Sequence, residues 1–217
     1  MLRACLAEFL GTFALVLAGT GAIVVNELTG SLTHLGVAAC FGLAVFVIIE
    51  TIGPVSGAHI NPAVTLALAA AGRCRPSCVG PYVVCQFLGA TIASAAITVL
   101  IPASTHSCGM TKPTVSPAAA FAIEFMLTAG LLLTILRFST GPSLAHAGLA
   151  IGCVIGLEAL VAGPLTGASM NPARSLGPAI VAGRFEGLWL YLVAPTLGAL
   201  TVLPLHRFLQ PPAAESS

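Results

Sequence analysis

Charge is what this sequence has least of. Only 7% of its 217 residues are Asp, Glu, Lys or Arg, and Asp does not occur at all. Ordinary soluble domains carry about 25% charge, so the chain has no material for a water-facing surface. That excludes a cytosolic enzyme, a nucleic-acid binder and a disordered protein. The eight Lys and Arg nearly balance the seven Glu, which leaves no basic or acidic face for a charged partner. Metal-ligand spacing is missing as well. Cys74 and Cys78 are suitably spaced, but no His or second Cys pair lies near them. His34, His59, His106, His146 and His206 are scattered, with no nucleophile motif beside any of them. No metal, cofactor or catalytic constellation is expected. The seven cysteines (5, 40, 74, 78, 85, 108 and 153) are odd in number and sit mostly in apolar runs, where a thiol acts as a small hydrophobe rather than half of a disulfide.

What is present is apolar length. Hydrophobic residues make up 57% of the chain and the mean hydropathy is +1.03, the composition of a protein that lives in lipid. Six apolar segments, at roughly 7–25, 36–53, 80–101, 118–137, 145–162 and 187–207, each approach the ~20 residues needed to cross a bilayer. Glu8 inside the first argues for a retained span rather than a cleaved signal peptide. With six spans, Arg3, Arg73, Arg75, Arg137 and Arg207 fall on one side and Lys112 and Arg184 on the other, which predicts cytoplasmic termini. Gly148, Gly152 and Gly156 recur every fourth residue in the fifth segment, the spacing of a close helix contact, read here as packing inside the bundle.

Two further apolar stretches, 57–72 and 167–182, are too broken to be spans and too apolar to be surface loops. The first opens Gly57-Ala-His-Ile-Asn-Pro-Ala-Val-Thr65 and the second Gly167-Ala-Ser-Met-Asn-Pro-Ala-Arg-Ser175. Gly-Ala, two residues, then Asn-Pro-Ala recurs at an offset of 110 residues, and Ala7-Glu8-Phe9 finds an echo in Ile123-Glu124-Phe125. The chain therefore reads as one membrane domain, 1–217, built from two repeats of about 1–110 and 111–217. Three spans separate the motif copies, so the copies approach the membrane from opposite faces as an inverted repeat. Asn61 and Asn171 are favoured N-caps, and Pro62 and Pro172 suit a first helical position. The helix after each runs about ten residues, or ~15 Å, which is half a membrane. Two such half-helices would meet near the midplane and aim their positive N-terminal ends at one another.

Two Asn-Pro-Ala copies at half-chain spacing, inside the extended wording Ser-Gly-Ala-His-x-Asn-Pro-Ala-Val-Thr and Gly-Ala-Ser-x-Asn-Pro-Ala-Arg-Ser, resemble the major intrinsic protein family, the aquaporins and glycerol channels. The resemblance covers nearly the whole chain, and its wording is most like the nodulin-like intrinsic proteins of plants and their bacterial relatives. It implies an all-α integral membrane protein of six transmembrane helices plus two half-helices. The expected activity is passive conduction of water and small neutral solutes such as glycerol, and of neutral acids such as arsenous or boric acid, without catalysis. A homotetramer in a lipid bilayer is implied, and the short termini together with the subfamily likeness suggest a bacterial inner membrane. A strict water channel and, further off, a proton-coupled secondary transporter are the rival readings; an intramembrane hydrolase lacks a supporting constellation.

Carried onto this chain, the family pattern makes Asn61, Pro62, Ala63, Asn171, Pro172 and Ala173 the pore motifs. Phe41, Ala159, Ala168 and Arg174 take the positions of the selectivity filter. His59 would face the pore on the cytoplasmic side. Each assignment has a structural rival. Phe41 could pack or meet lipid, and His59 could be an interior residue bound to loop carbonyls. Glu8 and Glu124 read better as acceptors for buried loop backbone than as proton carriers. A lone arginine in lipid costs ~3 to over 10 kcal/mol, so Arg174 needs a wet cavity or partners. Glu50 and Glu158 receive no role.

Overall fold

The computed structural model describes residues 1–103 and 108–209, so His106 lies outside the described residues. Eight α-helices follow in order: α1 (Leu2–Thr29), α2 (Thr33–Ser56), α3 (Pro62–Ala70), α4 (Pro76–Leu100), α5 (Pro117–Phe138), α6 (Ala147–Thr166), α7 (Pro172–Ala182) and α8 (Leu188–Leu209). A 3₁₀ turn, Gly141–His146, leads into α6. Six of the helices are long and apolar enough to cross a membrane, whereas α3 and α7 have only 9 and 11 residues. The polarity of the molecule is inverted relative to a soluble protein. Glu8, Gln86 and Glu124 are fully buried and Arg174 is 1% exposed, while Leu43, Val47, Leu88, Met126, Leu157 and Val161 point outward.

The spans run further than the apolar segments do, because proline does not end them. Segments closing at 53 and 162 become helices that continue through Pro54 and Pro164 to Ser56 and Thr166. Pro164 has no N–H for the carbonyl of Leu160, one turn earlier, which would leave an acceptor bare within a membrane span. His34, at the start of α2, fills that place: its Nε2 lies 2.7 Å from the Leu160 oxygen. Each of these helices then stops at a glycine in the left-handed region, Gly57 at φ 88° and Gly167 at φ 86°.

Packing follows the two repeats. α1 lies on α4 as α5 lies on α8, and α2 lies on α6 where the repeats meet. Glycine permits the closest of these approaches: a side chain on Gly89 would strike the Phe9 carbonyl of α1, and one on Gly198 the Phe125 carbonyl of α5. Of the three glycines in the fifth span, Gly152 faces the backbone of Gly42 on α2, and Gly156 lies beside the same turn. Gly148 instead faces a side chain, Glu50. The short helices cross over between repeats. α3, from the first, packs chiefly on α8 of the second, and α7 packs chiefly on α4 of the first. Their N-termini therefore meet at the centre of the bundle.

Candidate functional site

The two loops that lead into α3 and α7 are built alike. Besides the glycines, Ala58, Ile60, Ala168 and Met170 all have positive φ (47°, 44°, 40° and 52°). L-residues held there cost of order 1–3 kcal/mol each, and buried carboxylates hold them. Glu8 Oε1 accepts from Ser56 Oγ (2.7 Å) and His59 N (2.9 Å), and its Oε2 from Ile60 N (2.6 Å) and Gln86 Nε2 (2.8 Å). Glu124 does the same in the second repeat. Its Oε1 accepts from Thr166 Oγ1 (2.7 Å) and Ser169 N (2.9 Å), and its Oε2 from Met170 N (2.8 Å). The chain's two tyrosines close the preceding helix ends, Tyr82 donating to the Ser56 carbonyl (3.0 Å) and Tyr191 to that of Thr166 (2.6 Å).

With their N–H groups drawn toward the carboxylates, both loops line a shared cavity of about 680 Å³. Among the described residues the carbonyls of Gly57, Ala58 and His59, and of Gly167, Ala168 and Ser169, accept no hydrogen bond from the protein. They remain open as acceptors for whatever fills the cavity.

The asparagines join the halves. Asn61 Oδ1 caps α3 by accepting from Ala63 N (2.9 Å), and its Nδ2 donates to the Met170 carbonyl of the other loop (2.7 Å). Asn171 Oδ1 accepts from Ala173 N (2.9 Å), and its Nδ2 donates to the Ile60 carbonyl (2.9 Å). A primary amide carries two N–H bonds. One ties the loops together and the second is free for the cavity that both asparagines line. Pro62 and Pro172 occupy the first helical positions, where no donor is lost, and Ala63 and Ala173 are fully buried behind them.

Phe41, Ala159, Ala168 and Arg174 come from four different elements and all line this cavity. Arg174 Nη1 donates to the Gly109 carbonyl (3.0 Å), and its guanidinium lies 5.4 Å from the centre of the Phe41 ring. Its Nε and Nη2 are buried with no partner among the described residues. The Phe41 ring fits against Gly19 of α1, where any side chain would collide with it. His59 lines the cavity too; its Nδ1 is 3.2 Å from Thr65 Oγ1 and its ring meets Tyr82 edge-on at 5.3 Å. Glu158 turns the other way, toward Gly130 of α5, and does not line the cavity.

These features form two half-length helices, each with an asparagine-proline start, meeting head to head in a membrane bundle around a cavity with one buried arginine. The family profile described as "Major intrinsic protein" matches residues 1–203. The chain belongs to the major intrinsic protein family. Among its relatives, it is 45% identical over 204 residues to "Aquaporin NIP1-2" of Oryza sativa subsp. japonica, covering 90% of this chain and 67% of that one. It is 40% identical over 222 residues to "Nodulin-26" of Glycine max, covering 100% of this chain and 82% of the relative. The X-ray structure of the aquaglyceroporin from Plasmodium falciparum superposes with a TM-score of 0.86 at 28% identity, over 96% of each chain. The subfamily likeness is therefore to plant proteins, and these relatives lend no support to a bacterial inner membrane.

For a major intrinsic protein, the parts that sequence reading passed over are the supporting ones. Ser56, Thr166, Tyr82, Tyr191 and Gln86 were not singled out. Reading the 110-residue offset beyond the Asn-Pro-Ala core would have paired Ser56 with Thr166 and Thr65 with Ser175. Glu50, which no motif in the sequence marks, also lines the cavity.

Proposed function

We propose that this membrane channel is a passive pore for water and small neutral solutes, with glycerol, and neutral acids such as arsenous or boric acid, passing beside water. The observation that carries the reading is the continuous cavity shared by both loops. It runs from Phe41 and Arg174 past the paired asparagines to Arg73 and Leu144 on the face that holds both termini. A permeating molecule finds open carbonyls along both loops and free amide hydrogens at the centre, which replace the hydrogen bonds it leaves behind in water. Two helix N-termini make the middle of the path positive and the Arg174 guanidinium adds a positive charge at its far end, so cations and protons are repelled.

Phe41, Ala159, Ala168 and Arg174 act as the filter in this reading. Two methyl groups leave the constriction wide and apolar on the side opposite the arginine. A polyol's carbon skeleton can lie along that wall while its hydroxyls meet Arg174. His59, with its ring in the cavity, lines the path on the side of the termini, while Glu8 and Glu124 hold the loops rather than carry protons. We take that side to be cytoplasmic, because five of the seven loop arginines and lysines lie there, and we take the assembled form to be a homotetramer with one pore per protomer. Stopped-flow light scattering of proteoliposomes tests the reading. Water and glycerol permeabilities should both rise above those of empty liposomes and ignore an imposed pH or sodium gradient. Concentrative uptake driven by either gradient overturns the passive pore, and water conduction with glycerol excluded makes this a strict water channel.

A further inference from the structure

Glu50 lies on α2, two turns before the first loop, and its side chain is exposed to the cavity at the end nearest the termini. Among the described residues that line the cavity it alone carries a carboxylate, and no described group bonds to it or pairs with its charge. The space it occupies is made for it. Gly148 on α6 faces it, and any side chain there would run into the carboxylate. A charge at this depth in a membrane helix is costly unless it is wet or in use.

The guanidinium nearby is engaged away from Glu50. Arg73, at the same end of the cavity, donates from Nη1 to the Leu136 carbonyl (2.7 Å) and to Ser139 Oγ (2.9 Å), and its Nη2 lies 3.3 Å from His206 Nε2. Much of the remaining wall is apolar, including Leu68, Leu131, Ile135 and Ile151. The opposite end has the reverse character, since Arg174 lines the cavity, presents unpartnered donors and forms no ion pair among the described residues. The path is therefore rich in donors at one end and has a strong acceptor at the other. A solute with both lone pairs and O–H groups is matched at both ends.

We propose that Glu50 is a specificity-determining pore residue, a second subsite that accepts the hydroxyl hydrogens of small neutral polyhydroxy solutes. The proposal rests on the channel reading above and names the solute class that this end of the pore favours. A carboxylate offers about four lone-pair sites, enough for two neighbouring hydroxyls at once, and its charge strengthens each bond. Its exposure to water keeps the binding weak enough for release, which conduction requires. Two waters are needed to place the pair of hydroxyl hydrogens side by side that one diol supplies by itself, so a diol loses less freedom per bond and gains more from the site.

The test compares the glycerol-to-water permeability ratio of wild-type and variant proteoliposomes. Glu50→Gln, nearly the same size but uncharged, should lower the ratio about three- to tenfold, the effect of losing one charge-assisted contact, while Glu50→Asp should keep it within about twofold. Glu50→Ala separates chemistry from size: it widens the mouth, yet the ratio should fall. Gly148→Val retains Glu50 but fills its seat, and should lower the ratio in the same direction. A ratio unaltered in Glu50→Gln, or raised in Glu50→Ala, overturns the subsite and leaves the passive pore standing. A wild-type protein that conducts water but no glycerol overturns both this proposal and the wide filter, and the wild-type arm alone reveals it.

Discussion

The two re-entrant loops share a scaffold and differ in chemistry. Both start at a glycine stop, carry two alanine-or-larger residues at positive φ, hang from a buried glutamate and end in an asparagine that caps its own half-helix. At matching positions, however, the first has His59 and Val64 where the second has Ser169 and Arg174. The scaffold uses the residues facing away from the cavity. Identity along the path is set at the few positions that face into it. Support differs as well: Glu8 receives four donors, the fourth from Gln86, whereas Glu124 receives three. Two loops of the same backbone can therefore differ in charge, with Arg174 in one where the other has Val64.

The carboxylates provide the largest expected effect. Removing Glu8 or Glu124 orphans buried N–H groups, and hydrogen bonds to charged groups contribute about 1.5–3 kcal/mol each. Glu8→Ala and Glu124→Ala should both fail to yield folded protein in detergent gel filtration. The amide variants resolve the difference. Glu8→Gln puts an NH₂ among four donors and Glu124→Gln among three, so Glu8→Gln should have the lower unfolding temperature of the two. Equal temperatures would mean that Gln86 adds nothing to the first loop.

Next comes the charge that distinguishes the loops. Arg174→Val gives the second half-helix the residue that the first carries as Val64, and it deletes the fixed positive charge beside Phe41. Neutral solutes should still pass, while proton leak, read with a pH dye inside liposomes, rises tenfold or more, as about 1.4 kcal/mol of lost barrier suffices for tenfold. A folded variant with wild-type leak would assign the ion barrier to the helix ends instead.

Much of this was legible in the sequence, though unevenly. The spans, the half-helices and the asparagine caps follow from apolar length and from the chemistry of Asn-Pro, both of which are local. Helix ends were less legible: nothing near Pro164 in the chain signals that His34, 126 residues distant along the chain, will take the carbonyl that proline abandons. Glu50 is harder still. Its meaning depends on an absence, the missing side chain of Gly148 on another helix, and a glycine repeat of this kind reads equally well as helix packing. Tyr82 and Tyr191 sit at equivalent places in the two repeats, but one tyrosine in an apolar span resembles any other until its hydroxyl's partner is known.

A smaller effect is expected at the apolar wall of the proposed filter. Ala159→His places an imidazole opposite Arg174 and should cut glycerol flux about tenfold while reducing water flux by less than half that factor, as a steric plug discriminates by size. Similar losses for both solutes would place Ala159 outside the narrowest point.

Mercury should do least. None of the seven cysteines lines the cavity among the described residues, and Ala168, three residues before Asn171, offers no thiol there. Cys40, next to Phe41, is only partly buried and stays outside the lining. Mercuric ion should leave water permeability near its starting value, and Cys40→Ser should change nothing further. Strong block would show that a thiol reaches the path.

The crossing of the short helices bears on how such a protein can be made. α3 belongs to the first half of the chain but rests chiefly on α8, the last of the described helices to be made, and α7 rests on α4, which is made before it. Until α8 arrives, the first half-helix lacks its chief neighbour and rests on α4 and the facing loop. The bundle that backs the path is thus completed late. A membrane holding partly synthesised chains is spared a half-built hole, and a chain arrested before residue 188 should insert its spans yet show the water permeability of bare lipid.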